Sequence, residues 1–128
     1  VVGKTLLEEL CGDDTDLYEV MNRTILLNPE LSIREGIHTN LEKAQEYEKA
    51  GDVTRARVAY QAAGEISLYE GKLAQAQKFF KKAADVDPNY TNRRIYDYYT
   101  NKENAERALK VAQEYYARSL KAIGKKEA

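Results

Sequence analysis

Two glycines twenty residues apart, Gly51 and Gly71, restrict this chain more than anything else in it. Counted from each glycine, Asp52 matches Lys72, Val53 matches Leu73, Ala56 matches Ala76, Tyr60 matches Phe80 and Ala63 matches Ala83. Seven residues before each glycine stands another small residue, Ala44 or Gly64. Each position has a physical reason. The turn glycine closes one helix in a left-handed conformation that other residues resist. The small residues let two helix axes approach to about 8 to 10 Å, and the aromatic fills the wedge beyond them. Gly64 falls inside a helical pattern, where glycine costs about 1 kcal/mol against alanine and so needs a packing reason. The spacing predicts that it faces Ala76 at the closest approach of two helices.

The rest of the chain carries the same punctuation. Thr5 to Cys11 is a short apolar stretch closed by Gly12, and "GDDTD" then offers N-cap carboxylates for a helix over about 15 to 27. Asn28 and Pro29 read as N-cap and first helical residue of the next helix. Ile33, Ile37, Leu41, Ala44 and Tyr47 recur along it at three- and four-residue spacing, with a kink expected at Gly36 or "HTN". Further helices are predicted over about 53 to 70, 73 to 86, 91 to 99 and 102 to 122. No alternating pattern predicts a strand. With two prolines in 128 residues and Ala, Glu, Lys, Leu and Arg abundant, the chain reads as one ordered all-α domain. Within it, 1–28 forms N-terminal helices, 29–122 an antiparallel helix-turn-helix array and 123–128 a tail, six to seven helices in all. A start at Val1 without methionine is what a processed or excised piece would show.

Over 57–90, Gly64, Gly71, Ala76, Phe80, Ala83 and Pro88 stand at the spacings of a known helix-turn-helix repeat. The stretch resembles the tetratricopeptide repeat, a unit of about 34 residues with small residues in both helices and proline after the second. The resemblance implies right-handed stacking of helix pairs and no enzymatic activity, with a groove lined by first-helix side chains that holds a protein or peptide. Carried onto this chain, the groove would present Gln61, Glu65, Leu68 and Tyr69, followed by Tyr96 and Tyr99. The Lys and Asn clamp that some members use for a terminal carboxylate is not reproduced, since Gln61 and Glu65 stand there. The copies here lie 20 residues apart, so the helix over 53–70 must serve as second helix of one pair and first of the next. Its apolar residues fall on two sides, which suits that double use.

Residues able to carry chemistry are few. "GKT" at 3–5 looks like the end of a phosphate-binding loop, but no strand pattern accompanies it and its first glycine would precede Val1. His38 and Cys11 are single, which removes paired-ligand zinc sites and leaves a Cys-His dyad only if the two happen to meet. No catalytic constellation, metal site or cofactor is expected. One unpaired cysteine and no apolar run long enough to span a membrane fit the cytoplasm.

Charge is distributed unevenly. Residues 1–48 hold 11 acids and 4 bases, net −7, and residues 49–128 hold 10 acids and 16 bases, net +6. The two halves should attract each other, within one molecule or between molecules. Three function classes follow: a protein- or peptide-binding scaffold or adaptor, a self-assembling structural protein pairing unlike ends as a homo-oligomer, and a single-stranded RNA-binding domain. The last rests on Tyr90, Tyr96, Tyr98 and Tyr99 interleaved with Arg93, Arg94, Lys102 and Arg107. A sequence pI near 6.0 disfavours nucleic acid.

Overall fold

The computed structural model describes residues 6–24 and 29–127. Within them lie seven helices: α1 (Leu6–Cys11), α2 (Thr15–Thr24), α3 (Pro29–Lys49), α4 (Val53–Tyr69), α5 (Leu73–Val86), α6 (Tyr90–Thr100) and α7 (Lys102–Glu127). The described residues form no strand, and the chain is all-α.

Local chemistry sets most boundaries. At the start of α2, the Asp14 carboxylate accepts from the Leu17 N–H at 3.1 Å, and Asp52 does the same for Arg55 at the start of α4. Asn89 accepts from the Asn92 N–H and Asn101 from the Asn104 N–H, so α6 and α7 begin with side-chain caps as well. These bonds satisfy amides that have no partner within the helix. The two repeat glycines close their helices identically. Gly51 donates to the Glu48 carbonyl and Asp52 to the Tyr47 carbonyl; Gly71 donates to Leu68 and Lys72 to Ser67. Both glycines hold φ near +77°. This is a Schellman turn made twice.

Two helices differ from the sequence reading. The helix expected over 15 to 27 ends at Thr24, and the Asn28 cap lies outside the described residues. The last helix passes the expected stop near 122 and continues through Gly124 to Glu127. A single glycine inside a helix costs about 1 kcal/mol against alanine, which does not by itself end the helix. Gly36 breaks α3 with φ 73° and ψ 171°, and the Asn40 side chain donates to its carbonyl. The kink therefore belongs to the glycine.

Helix α4 is the axis of the fold, packed between α3 and α5, with α7, α2 and α6 completing its surroundings. From Ala59 to Tyr69 every residue is buried. Such all-round burial explains why α4 lacks the polar stripe of a surface helix. A small cluster of Ala44, Ala59, Tyr60 and Ala83 joins α3, α4 and α5. The larger cluster gathers Leu17, Val20 and Met21 of α2 with Leu68, Phe80, Ile95, Tyr99 and Ala108. The nearest neighbour of Gly64 is the Phe80 ring: a Cβ built at Gly64 would stand 2.6 Å from Phe80 Cε1. The bare helix surface at this glycine admits an aromatic ring, and Ala76 is buried in the same cluster as that ring.

The acidic N-terminal helices dock on the basic C-terminal ones within a single chain. Arg94 Nη1 donates to Glu19 Oε1 at 2.5 Å and its Nη2 to Asp16 Oδ1 at 3.0 Å. Arg107 Nη1 donates to Asp14 Oδ2 at 3.0 Å. Helices α2 and α6 thus face each other, with Arg23 opposite Thr91 and Asp16 and Glu19 opposite Arg94. Met21 seals this contact beneath the Tyr99 hydroxyl, 3.5 Å from its sulfur.

Candidate protein-binding groove

The residues expected to line a groove on α4 and α6 lie mostly in the interior. Leu68, Glu65 and Tyr99 are 0 % exposed, Gln61 is 3 % exposed and Tyr69 is buried. Of these six, only Tyr96 reaches the surface, partly buried in a shallow recess with Pro88 and Arg93. The physical reason is coverage by α2, α6 and α7. Tyr69 stacks on Tyr116 of α7 with ring centroids 4.6 Å apart and donates its hydroxyl to Glu65 Oε1 at 2.8 Å. Burial, then the Glu65 charge, pushes the Tyr69 hydroxyl far above the ordinary tyrosine range. Gln61 donates to Asn92 Oδ1 at 3.2 Å and accepts from Arg57 Nη1 at 2.9 Å. Tyr99 stacks on Phe80 at 4.7 Å. These polar side chains satisfy one another inside the fold instead of facing a ligand.

The Tyr and Arg segment is split in the same way. Tyr90 is 78 % exposed and Arg93 and Lys102 are exposed, but Tyr99 is buried and Arg94 and Arg107 are engaged by carboxylates. Tyr98 is half-buried, and its hydroxyl is pushed up to about 12 by burial and by Asp14. No continuous stacking platform forms from these residues.

An open groove lies elsewhere, between α1, the start of α2 and α7. It has a volume of about 420 Å³. Leu10, Cys11, Leu17 and Val111 form its apolar floor, and Asp14, Arg107, Lys110, Glu114 and Arg118 stand around it. Asp14 pairs with Arg107 and Glu114 with Arg118, the latter at 2.9 Å. Lys110 adds a further exposed cation. Its position follows from the docking described above: Asp14 caps α2 and at the same time grips Arg107, so the α1–α2 turn is pinned against α7. Sequence reasoning missed the groove, although the unequal charge of the two halves was a signal that these elements would meet.

The setting of Cys11 disfavours its thiolate form. Burial first, and Asp14 second, push its thiol up to about 11, so it stays protonated at neutral pH. His38 is exposed on α3, where Nε2 lies 2.8 Å from Glu42 Oε1, and no hydrogen bond joins it to Cys11. Gly3, Lys4 and Thr5 lie outside the described residues. Among the described residues, no three His, Cys, Asp or Glu side chains gather closely enough to hold a metal ion, and no helix is long and apolar enough to cross a membrane. Comparison with protein families, with curated proteins and with solved structures returns no match.

Proposed function

We propose that this chain is a non-enzymatic protein-interaction module, a tetratricopeptide-like array that holds a segment of another protein in the groove between α1 and α7. The observation that carries this reading is the groove's composition: an apolar floor of Leu10, Cys11, Leu17 and Val111 beside the exposed cation Lys110, with Arg107 and Arg118 held at the rim by Asp14 and Glu114. Apolar side chains of a bound segment would displace water from the floor, and flanking carboxylates would meet the rim. The fitting ligand is therefore a short amphipathic peptide or helix with acidic flanks, and the role is that of a scaffold or adaptor. A free cysteine suits the reducing cytoplasm as its setting.

Capture of partners from the source cell by the tagged chain tests this. Lys110→Glu and Arg118→Glu change exposed residues, so both variants should keep the parent's circular dichroism and melting temperature while losing the partner. Equal capture by both variants would refute the groove.

Head-to-tail self-assembly is the weaker reading, because Arg94 and Arg107 spend their charge on Asp16, Glu19 and Asp14 of the same chain. Light scattering at low salt should then give a monomer mass.

A further inference from the structure

A second recess, on a different set of helices, is built from donors. It has a volume of about 320 Å³ and is lined by Arg23 of α2, Arg57 and Gln61 of α4, and Asn89, Thr91, Asn92 and Ile95 at the start of α6. Two guanidinium groups from separate helices line it, and their nearest carboxylates, Asp87 and Glu19, stand outside the lining at 3.5 and 4.0 Å. We propose that this recess binds an oxyanion, a carboxylate or phosphate group carried by a peptide.

The hydrogen-bond accounting supports it. The side-chain acceptors of the lining are already engaged: Gln61 Oε1 takes Arg57 Nη1, Asn92 Oδ1 takes Gln61 Nε2, and Asn89 Oδ1 takes the Asn92 N–H. The donors are in surplus. Each guanidinium has five N–H groups. Arg57 gives one to Gln61, while its Nε is buried with no hydrogen-bond partner, 3.5 Å from Asp87 Oδ2. Arg23 makes only a long contact of 3.5 Å to Thr91 Oγ1, and its nearest carboxylate, Glu19, stands 4.0 Å away while holding Arg94 at 2.5 Å. The Gln61–Asn92 bridge is buried, so it fixes α4 and α6 at a set separation and holds Arg57 in place through Gln61. The start of α6 adds its positive end to the two cations. A planar carboxylate or a phosphate matches such a fork of donors. The inference does not depend on the groove between α1 and α7.

The test is an isotope-edited NMR titration of the whole chain with four probes: inorganic phosphate, and one acetylated peptide carrying phosphoserine, glutamate or serine at the same position. At least one anionic probe should give saturable shifts at the Thr91 and Asn92 amides and at the Arg23 and Arg57 Nε–H signals, and the serine peptide should give none. Response to phosphate and phosphopeptide alone assigns a phosphate site; response to the glutamate peptide assigns a carboxylate site. Arg57→Gln and Arg23→Gln should each weaken binding about tenfold or more, the usual worth of a charge-assisted hydrogen bond. Arg23 is half-exposed, so its variant keeps the fold even if the Arg57 variant does not. Lys81→Gln, at an exposed position on α5 outside both grooves, should change nothing. The proposal is overturned by absence of saturable shifts, by shifts spread over all basic side chains, or by undiminished affinity in Arg23→Gln.

Discussion

Replacing Gly64 by alanine adds one carbon where the fold has no room for it. The new Cβ would lie 2.6, 2.9 and 3.0 Å from Cε1, Cδ1 and Cζ of Phe80. An unstrained carbon contact is roughly 3.5 to 4.0 Å, so the ring must retreat by about 1 Å. It cannot do so freely. Phe80 is 1 % exposed, its ring stacks on Tyr99 at 4.7 Å, and Tyr99 is itself buried with its hydroxyl against Met21. Overpacking of this kind costs about 1 to 3 kcal/mol. Helix propensity returns about 1 kcal/mol, since glycine is replaced within a helix. The net expectation is a loss of about 1 kcal/mol in urea melts, with a larger loss for Gly64→Leu. The double variant decides the cause. With Phe80→Ala, which alone should cost about 3 to 5 kcal/mol, the obstruction is gone and Gly64→Ala should become stabilising by about 0.5 to 1 kcal/mol. Phe80→Leu can replace the alanine if that variant is too unstable to melt cleanly. If Gly64→Ala stabilises the parent as much as it stabilises the Phe80 variant, the packing argument fails.

The two repeat turns should respond alike: Gly51→Ala and Gly71→Ala each force a Cβ into φ near +77°, at a cost of about 1 to 2 kcal/mol in urea melts. Gly71→Ala must also push aside the Gln113 amide, 2.9 Å from the new carbon, but that flexible side chain can move. Arg94→Ala should cost about 1 kcal/mol at low salt and less at high salt, because it releases both Asp16 and Glu19 from a half-buried pair; an effect that salt leaves unchanged would contradict the electrostatic docking of α2. Stability should fall on the alkaline side. Cys11 ionises near its ordinary 9.0 when unfolded but near 11 when folded, so its contribution is complete below pH 9 and is lost as pH rises from 9 to 11. Tyr60, pushed up to about 12 by burial and by its hydrogen bond to Glu48, acts in the same direction from pH 10 to 12. Melts across this range should show a decline that begins later in Cys11→Ala; a flat profile to pH 12 would refute the linkage.

The helices and most of their ends, though not the last turns of α2 and α7, were readable along the chain because the forces that set them are local. Asp14, Asp52, Asn89 and Asn101 cap from within three residues, and Gly51 and Gly71 close turns with bonds that span at most five residues. That α4 packs against a neighbour on each of two sides was readable too, since its apolar residues point two ways. Its polar residues misled for a definite reason. Gln61 and Glu65 look like solvent-facing positions, yet each becomes an interior group once Asn92, Arg57 and Tyr69 supply hydrogen bonds. A polar side chain at helical spacing does not reveal whether its partner is water or another side chain.

Charge shows the same division. Net −7 and +6 in the two segments imply attraction between them, but long-range attraction has no address. Arg94 and Arg107 meet Asp16, Glu19 and Asp14 because Leu17, Val20 and Met21 bury their apolar surface against Ile95 and Tyr99, which brings α2 onto α6 and α7. That docking covers the face where a groove was expected and opens one between α1 and α7 instead. Helix identity, turn position and the glycine repeat are properties of short stretches, set by hydrogen bonds and torsions a few residues apart. Which face is covered, which arginines are spent and where a ligand can enter depend on contacts between residues more than seventy positions apart, and only the packed molecule settles those.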